Sequence, residues 1–205
     1  MTRFLTFLLV LAALPLAAQE PDHTHRAARD LARSGALAEA ASQMRVLAEH
    51  GHGPAQLDLA VMLARGKGLP QDDAAATYWA ERARFSGQAE AAKLAQLLSA
   101  RLDQATRDSV IFGLQTDLAA IAATGDHDAM MALGLVAADL DDPGKAYVNF
   151  AVASAFGVPQ AMVMRDAMLA QLPTEARRAA QEAAQDAFAS HCAALSPPQR
   201  IATCP

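Results

Sequence analysis

Residues 53–91 read GPAQLDLAVMLARGKGLPQDDAAATYWAERARFSGQAEA. Apolar residues recur at helical spacing in both halves, Leu59 and Leu63 first, then Ala76, Trp79 and Ala83, the pattern of two amphipathic helices. Between them lies Gly66-Lys67-Gly68, and Gly accepts the positive φ that a tight turn needs. Asp72 is placed to cap the second helix, its carboxylate accepting from free N–H groups. Trp79 is expected to fill the gap between the two helices, its size balanced by Ala55, Ala60 and Ala83. One such hairpin cannot bury its apolar surface alone, so the unit requires stacked neighbours.

The neighbours are visible as a recurring Gly followed four residues later by Ala: Gly51 and Ala55, Gly87 and Ala91, Gly125 and Ala129, Gly157 and Ala161. The Gly spacings are 36, 38 and 32, room for two helices and two short turns. Gly suits the left-handed position that closes a helix, and Ala in the next first turn lets the axes approach. Helices are expected over 24–33, 37–49, 54–64, 72–86, 89–100, 105–123, 127–138, 143–156, 159–171 and 174–195. Pro70, Pro143, Pro159 and Pro173 fall near helix starts, where a missing N–H costs little. The fold expected is all-α, a right-handed α-solenoid of about five stacked helical hairpins. Whether the 89–123 pair stacks regularly is left open, because it has no Gly-x-Gly turn.

Composition agrees. The chain has 205 residues, about a quarter of them Ala, with 19% charged, which excludes a disordered chain and favours helix over sheet. A mean hydropathy of +0.10 excludes a polytopic membrane protein. The formal charge is −5, so there is no basic footprint for nucleic acid.

Residues 53–91 resemble a Sel1-like repeat, a relative of the tetratricopeptide repeat. The resemblance rests on Ala55, Leu59-Ala60, Gly66-Lys67-Gly68-Leu69, Asp72, Ala76, Trp79, Arg82-Ala83 and Gly87. A shortened copy runs through Ala129, Leu133-Gly134, Lys145-Ala146, Phe150, Ala153 and Gly157, with Asn149 in place of the Trp. The resemblance implies an exported bacterial solenoid that binds other proteins. It also places Asp58, Val61, Arg65, Met131 and Leu135 on the inner face as candidate partner contacts.

Residues 1–18 read as a secretory signal, with Arg3 as the basic start, an apolar run from Phe4 to Leu14, and Pro15 before Leu16-Ala17-Ala18. An uncleaved N-terminal anchor is the alternative. Cleavage after Ala18 removes Arg3 and takes the charge from −5 to −6. The expected organisation is therefore a leader over 1–18, a repeat domain over 19–195 and a tail over 196–205, in a periplasmic or secreted monomer. Cys192 and Cys204 are the only cysteines, and export favours a disulfide between them; two free thiols are the alternative. The disulfide is expected to fold the tail over the last helix. There Ile201 would cover the end of the array, along a stripe of Ala176, Ala180, Ala183 and Ala187.

Candidates for chemistry are weak. Gly66-Lys67-Gly68 lacks the spacing of a phosphate loop. His50 and His52 flank a helix junction and read as caps before they read as metal ligands. His23 and His25 fall in an N-terminus expected to fray. The acidic clusters Asp126, Asp128 and Asp139, Asp141, Asp142 lack an EF-hand register. No Gly-x-Ser-x-Gly or Ser-x-x-Lys is present. The paired methionines Met130, Met131 and Met162, Met164 read as core, or as an adaptable binding surface. The expectation is a non-catalytic scaffold for an unknown protein or peptide, with no cofactor or metal. A hydrolase acting on cell-wall or antibiotic substrates, as discussed for some relatives of the family, is the alternative.

Overall fold

Five of the helices begin where the sequence supplies a side-chain acceptor. Asp72 accepts from Ala75 N at 2.9 Å, Asp103 from Thr106 N at 2.7 Å, and Asp142 from Lys145 N at 3.0 Å. Asp126 accepts from the N–H groups of Asp128 and Ala129, and His52 Nδ1 from Ala55 N at 3.2 Å. These acceptors satisfy donors that the helix itself leaves free. His52 and the acidic residues Asp126 and Asp142 are thus caps, and His50 bonds back to Val46 O at 2.7 Å.

The structure, a computed structural model, describes residues 20–204; the expected leader lies outside the described residues. Ten α-helices run in order: α1 (Glu20–Ser34), α2 (Leu37–Glu49), α3 (Gly53–Arg65), α4 (Asp73–Phe85), α5 (Ala89–Ser99), α6 (Gln104–Ala123), α7 (His127–Asp139), α8 (Pro143–Ala155), α9 (Ala161–Gln171) and α10 (Thr174–Ala194). A short 3₁₀ turn, Pro197–Gln199, follows. No strand occurs among the described residues. Two starts differ from expectation. Helix α1 begins at Glu20, so His23 and His25 belong to a formed helix and not to a frayed end. Helix α9 begins at Ala161, because Gln160 takes a left-handed conformation with φ of 65° and holds Pro159 in the preceding turn.

Neighbouring helices pack in succession from α1 to α5 and from α6 to α9. Three apolar clusters follow the chain. The first is built from α1 to α5 around Met44, Leu59, Leu63 and Leu98. The second joins Leu114 and Leu118 of α6 to Ala132 and Val136 of α7, with Tyr78 and Phe85 of α4 against it. The third holds Phe150, Tyr147, Met168 and Ala184. The Ala residues expected in the first turns, Ala55, Ala91, Ala129 and Ala161, are all buried.

Succession breaks twice. Helix α6 packs against α4 and α7 instead of along α5, and α10 packs against α8 instead of along α9. The two breaks coincide with the two connections that contain no left-handed residue; every other connection holds one, at Gly35, Gly51, Gly66 and Gly68, Gly87, Gly125, Asp141, or Gly157 and Gln160. A left-handed residue after a helix reverses the chain tightly. Without one, the chain leaves extended, as at Asp103 (ψ 168°) and Leu172 (ψ 138°), and the next helix departs from its predecessor.

The seam around Trp79 also differs from expectation. Trp79 packs against the first cluster but is only partly buried. The sealed polar position is Gln56, fully buried, whose Nε2 donates to Ala48 O at 3.1 Å and whose Oε1 accepts from Ser86 Oγ at 2.9 Å. It ties α2, α3 and the end of α4 together.

At the C-terminus Cys192 and Cys204 are bonded, with Cα atoms 5.6 Å apart. The tail does not cover the end of the array. Gln199 Nε2 donates to Thr124 O at 2.6 Å, and the Arg200 guanidinium donates to Leu195 O and Ala193 O. The tail therefore braces the α6–α7 turn and closes α10, while Ile201 stays partly exposed. The buried residues of α10 are Ala184, His191 and Cys192, with Leu195 buried just past its end; Ala183 is exposed. The packing partner of α10 is α8, and this sets both the buried residues and the place where the tail lands.

Candidate functional site

Helix α1 carries Arg26, Arg29 and Arg33, a spacing that puts the three side chains on one face. The same helix is bolted to α3 by its other polar groups. His25 Nε2 lies 2.9 Å from Asp58 Oδ2, and Arg29 Nε lies 3.7 Å from the same oxygen. The His25 ring packs against His52 with centroids 4.9 Å apart, and His52 Nε2 lies 3.1 Å from Asp22 Oδ1. Since His52 Nδ1 already accepts from Ala55 N, its Nε2 carries the proton and donates to Asp22. That hydrogen bond is the main reason the Asp22 carboxyl is held below its ordinary range.

Below this fastening, α1, α2 and α3 leave a groove of about 270 Å³. Its apolar lining comes from Ala32, Leu37, Met44, Val61 and Met62, and its charged rim from Arg29, Arg33, Lys67 and Asp58. An adjoining hollow of about 380 Å³ shares Arg29 and Arg33 and adds Asp22, His25 and Arg26. Lys67 is brought here by the Gly-x-Gly turn. Gly66 closes α3 with φ of 62°, and Gly68, at φ of 80°, lies so close to α2 that an added Cβ would stand 2.2 Å from Leu37 O. Only Gly fits there, and the turn is thereby pressed onto the start of α2.

Of the five expected partner contacts, the structure brings Asp58 and Val61 into the groove. Arg65 is exposed in the last turn of α3. Met131 and Leu135 are elsewhere, partly buried against the third cluster as core filling. Arg29 and Arg33 were missed in the sequence, although their four-residue spacing on one helix was a usable signal. In the sequence Lys67 reads as part of the Gly-x-Gly turn, with no sign that it reaches a groove.

A smaller pocket of about 120 Å³ lies between α4, α6 and α7, walled by Phe85, Ile111, Leu114 and Val136. Arg84 closes it, paired with Glu81 at 2.7 Å and Asp139 at 2.5 Å. Where α7, α8 and α10 meet, His127 stacks on Phe156 with centroids 3.9 Å apart, and His191 stands edge-on to both rings. The Nε2 atoms of His127 and His191 are buried without a protein partner. Burial holds both imidazoles below their ordinary pKa; Asp126 and Asp128 oppose this at His127, whereas His127 reinforces it at His191. Among the described residues no three His, Cys, Asp or Glu side chains are grouped to hold a metal ion. Nor is any helix there long and apolar enough to cross a membrane.

Over its described residues the chain is thus all-helical, with helices that pack largely in succession and a cationic-rimmed groove between the first three. It matches no protein-family model, and no curated protein matches it.

Proposed function

We propose that this is an exported, non-catalytic interaction protein, a right-handed solenoid of Sel1-like hairpins that holds a segment of a protein partner in the α1–α2–α3 groove. The carrying observation is the groove itself, where Val61 stays partly exposed beside Asp58 between tightly packed helices. Concave, largely apolar hollows with a few fixed polar groups are where proteins hold ligands. Further support comes from the repeat residues of 53–91. Gly66, Gly68, Asp72 and Gly87 all serve turns or caps, as they would in a repeat unit. The reading places the mature chain in the periplasm, as a monomer awaiting its partner.

The test is a photocrosslinking residue placed at Val61 in the full chain, expressed in a bacterium and activated in the periplasm. The expected result is repeated recovery of one partner from independent samples. The control site is Val46, exposed on α2 outside the groove. Equal recovery from Val46, or no crosslink from Val61, overturns the reading.

A further inference from the structure

We propose that the segment held in this groove is acidic, an extended peptide whose apolar side chains enter the groove and whose Asp or Glu carboxylates meet Arg29, Arg33 and Lys67. The inference rests on the interaction reading above and names the chemistry of its partner.

The argument is one of charge against background. The whole chain is formally −5, yet the cations Arg26, Arg29, Arg33, Arg65 and Lys67 gather on α1, the end of α3 and the turn that follows. Internal carboxylates consume only part of this charge. Asp58 is engaged by His25 at 2.9 Å and lies 3.7 Å from Arg29, and Asp30 holds Arg33 at 2.6 Å on an exposed face. Arg65 and Lys67 have no carboxylate partner among the described residues; both are exposed. An acidic protein that sets three cations against one carboxylate around a partly open apolar floor, with Lys67 unpaired, presents a potential complementary to a negative ligand.

The shape selects a peptide over a membrane surface. The apolar floor of Leu37, Met44 and Met62 is recessed between three helices, and Met44 and Met62 are almost wholly buried. A flat layer of headgroups cannot reach it, whereas single side chains of an extended chain can. Asp58 sets a further condition. It already accepts from His25, and it would repel a carboxylate placed directly above it, so the acidic groups are expected toward Lys67 and Arg33.

The experiment uses the full mature chain with its disulfide intact, against arrays of peptides about twelve residues long that share apolar content but step in net charge from about −4 to about +4. The expected result is binding that rises with negative charge, weakens about tenfold when Glu and Asp become Gln and Asn, and weakens further in high salt. Arg33→Glu combined with Lys67→Glu should weaken the acidic peptides about tenfold and leave the thermal melt unchanged, since both side chains are exposed. Equal binding of the acid and amide peptides, with both lost in Val61→Asp, would overturn the acidic partner and leave the interaction reading standing. Absence of binding at every charge would overturn the inference as well, while the Val61 crosslink would still judge the broader reading. Sedimentation with anionic phosphatidylglycerol vesicles, blocked by the same double substitution and not by peptide, would assign the cations to lipid and overturn it too.

Discussion

Gly134 and Phe150 occupy one seam. An added Cβ at Gly134 would lie 2.4 Å from the Phe150 ring, which is fully buried. In the 53–91 unit the matching positions are Ala60 and Ala80, both fully buried, and the aromatic residue is one place earlier, at Trp79. Moving the ring inward by one residue is what demands a Gly opposite it. Gly134→Ala is therefore expected to destabilise by about 1–3 kcal/mol through overpacking, read as a lower denaturant midpoint. Adding Phe150→Leu should recover most of that loss. The two aromatics are also ranked by burial: Phe150→Ala should cost about 3–5 kcal/mol, and Trp79→Ala, starting half-buried, clearly less. Equal midpoints for the two variants would contradict the burial order. Gln56 is the polar counterpart. Replacing it by Leu leaves Ala48 O with the Gly51 N–H alone and removes the acceptor of Ser86 Oγ, which should cost about 0.5–1.5 kcal/mol, with loss of hydrogen-exchange protection at the α2–α3 junction as the check.

Among the elements, the connections determine which helix meets which. Seven connections hold a left-handed residue that folds the chain straight back, and α5–α6 and α9–α10 hold none. The freed helices are the two longest, α6 with 20 residues and α10 with 21, and each spans onto a helix two places earlier. For α10 this brings His191 against His127 and Phe156. Both imidazoles have pKa values lowered from 6.5 chiefly by burial, so the unfolded chain binds more protons than the folded one at mildly acid pH. Their effect is absent at high pH, where both states are neutral. Stability is lost as pH falls through the unfolded value of about 6.5, and the loss levels off below the folded values. Thermal melts from about pH 7.5 to about pH 5 should show this decline, and His191→Gln should flatten it. A profile identical in wild type and variant would show that the pair does not titrate with folding.

Across the whole molecule, the disulfide holds the tail to α10, and the Gln199 side chain of that tail donates to Thr124 O in a turn 75 residues earlier. The tail is a brace between α10 and the α6–α7 junction. Reducing the bond, or Cys204→Ser, should cost at most about 3 kcal/mol in the chain-entropy account of a short loop. Hydrogen exchange should then quicken around residues 123–127 while α1 to α4 remain protected. Uniform exchange changes over the whole chain would mean that the tail holds more than this junction.

Legible in the sequence were the helices, nearly to their ends, because apolar spacing, Gly and acidic caps are local signals that need no partner. The disulfide was legible too, from the expected leader and from there being two cysteines. Two of the nine groove residues, Asp58 and Val61, were legible as candidate contacts. The rest depended on placement in space. His25 reads as a frayed terminal residue until α1 is laid on α3 and Asp58 accepts from it. Leu135 shares the repeat position of Val61, yet different neighbours hold it, and Met131 with it, partly buried against the third cluster. Local sequence determined which segments are helices and where they turn. The two connections without a left-handed residue mark where α6 and α10 leave their predecessors, and tertiary packing alone decided which earlier helix each meets, where the tail lands, and that cations from α1 and from the turn after α3 share one rim. The reason is that side chains far apart in the chain acquire a common surface only after the helices between them have packed.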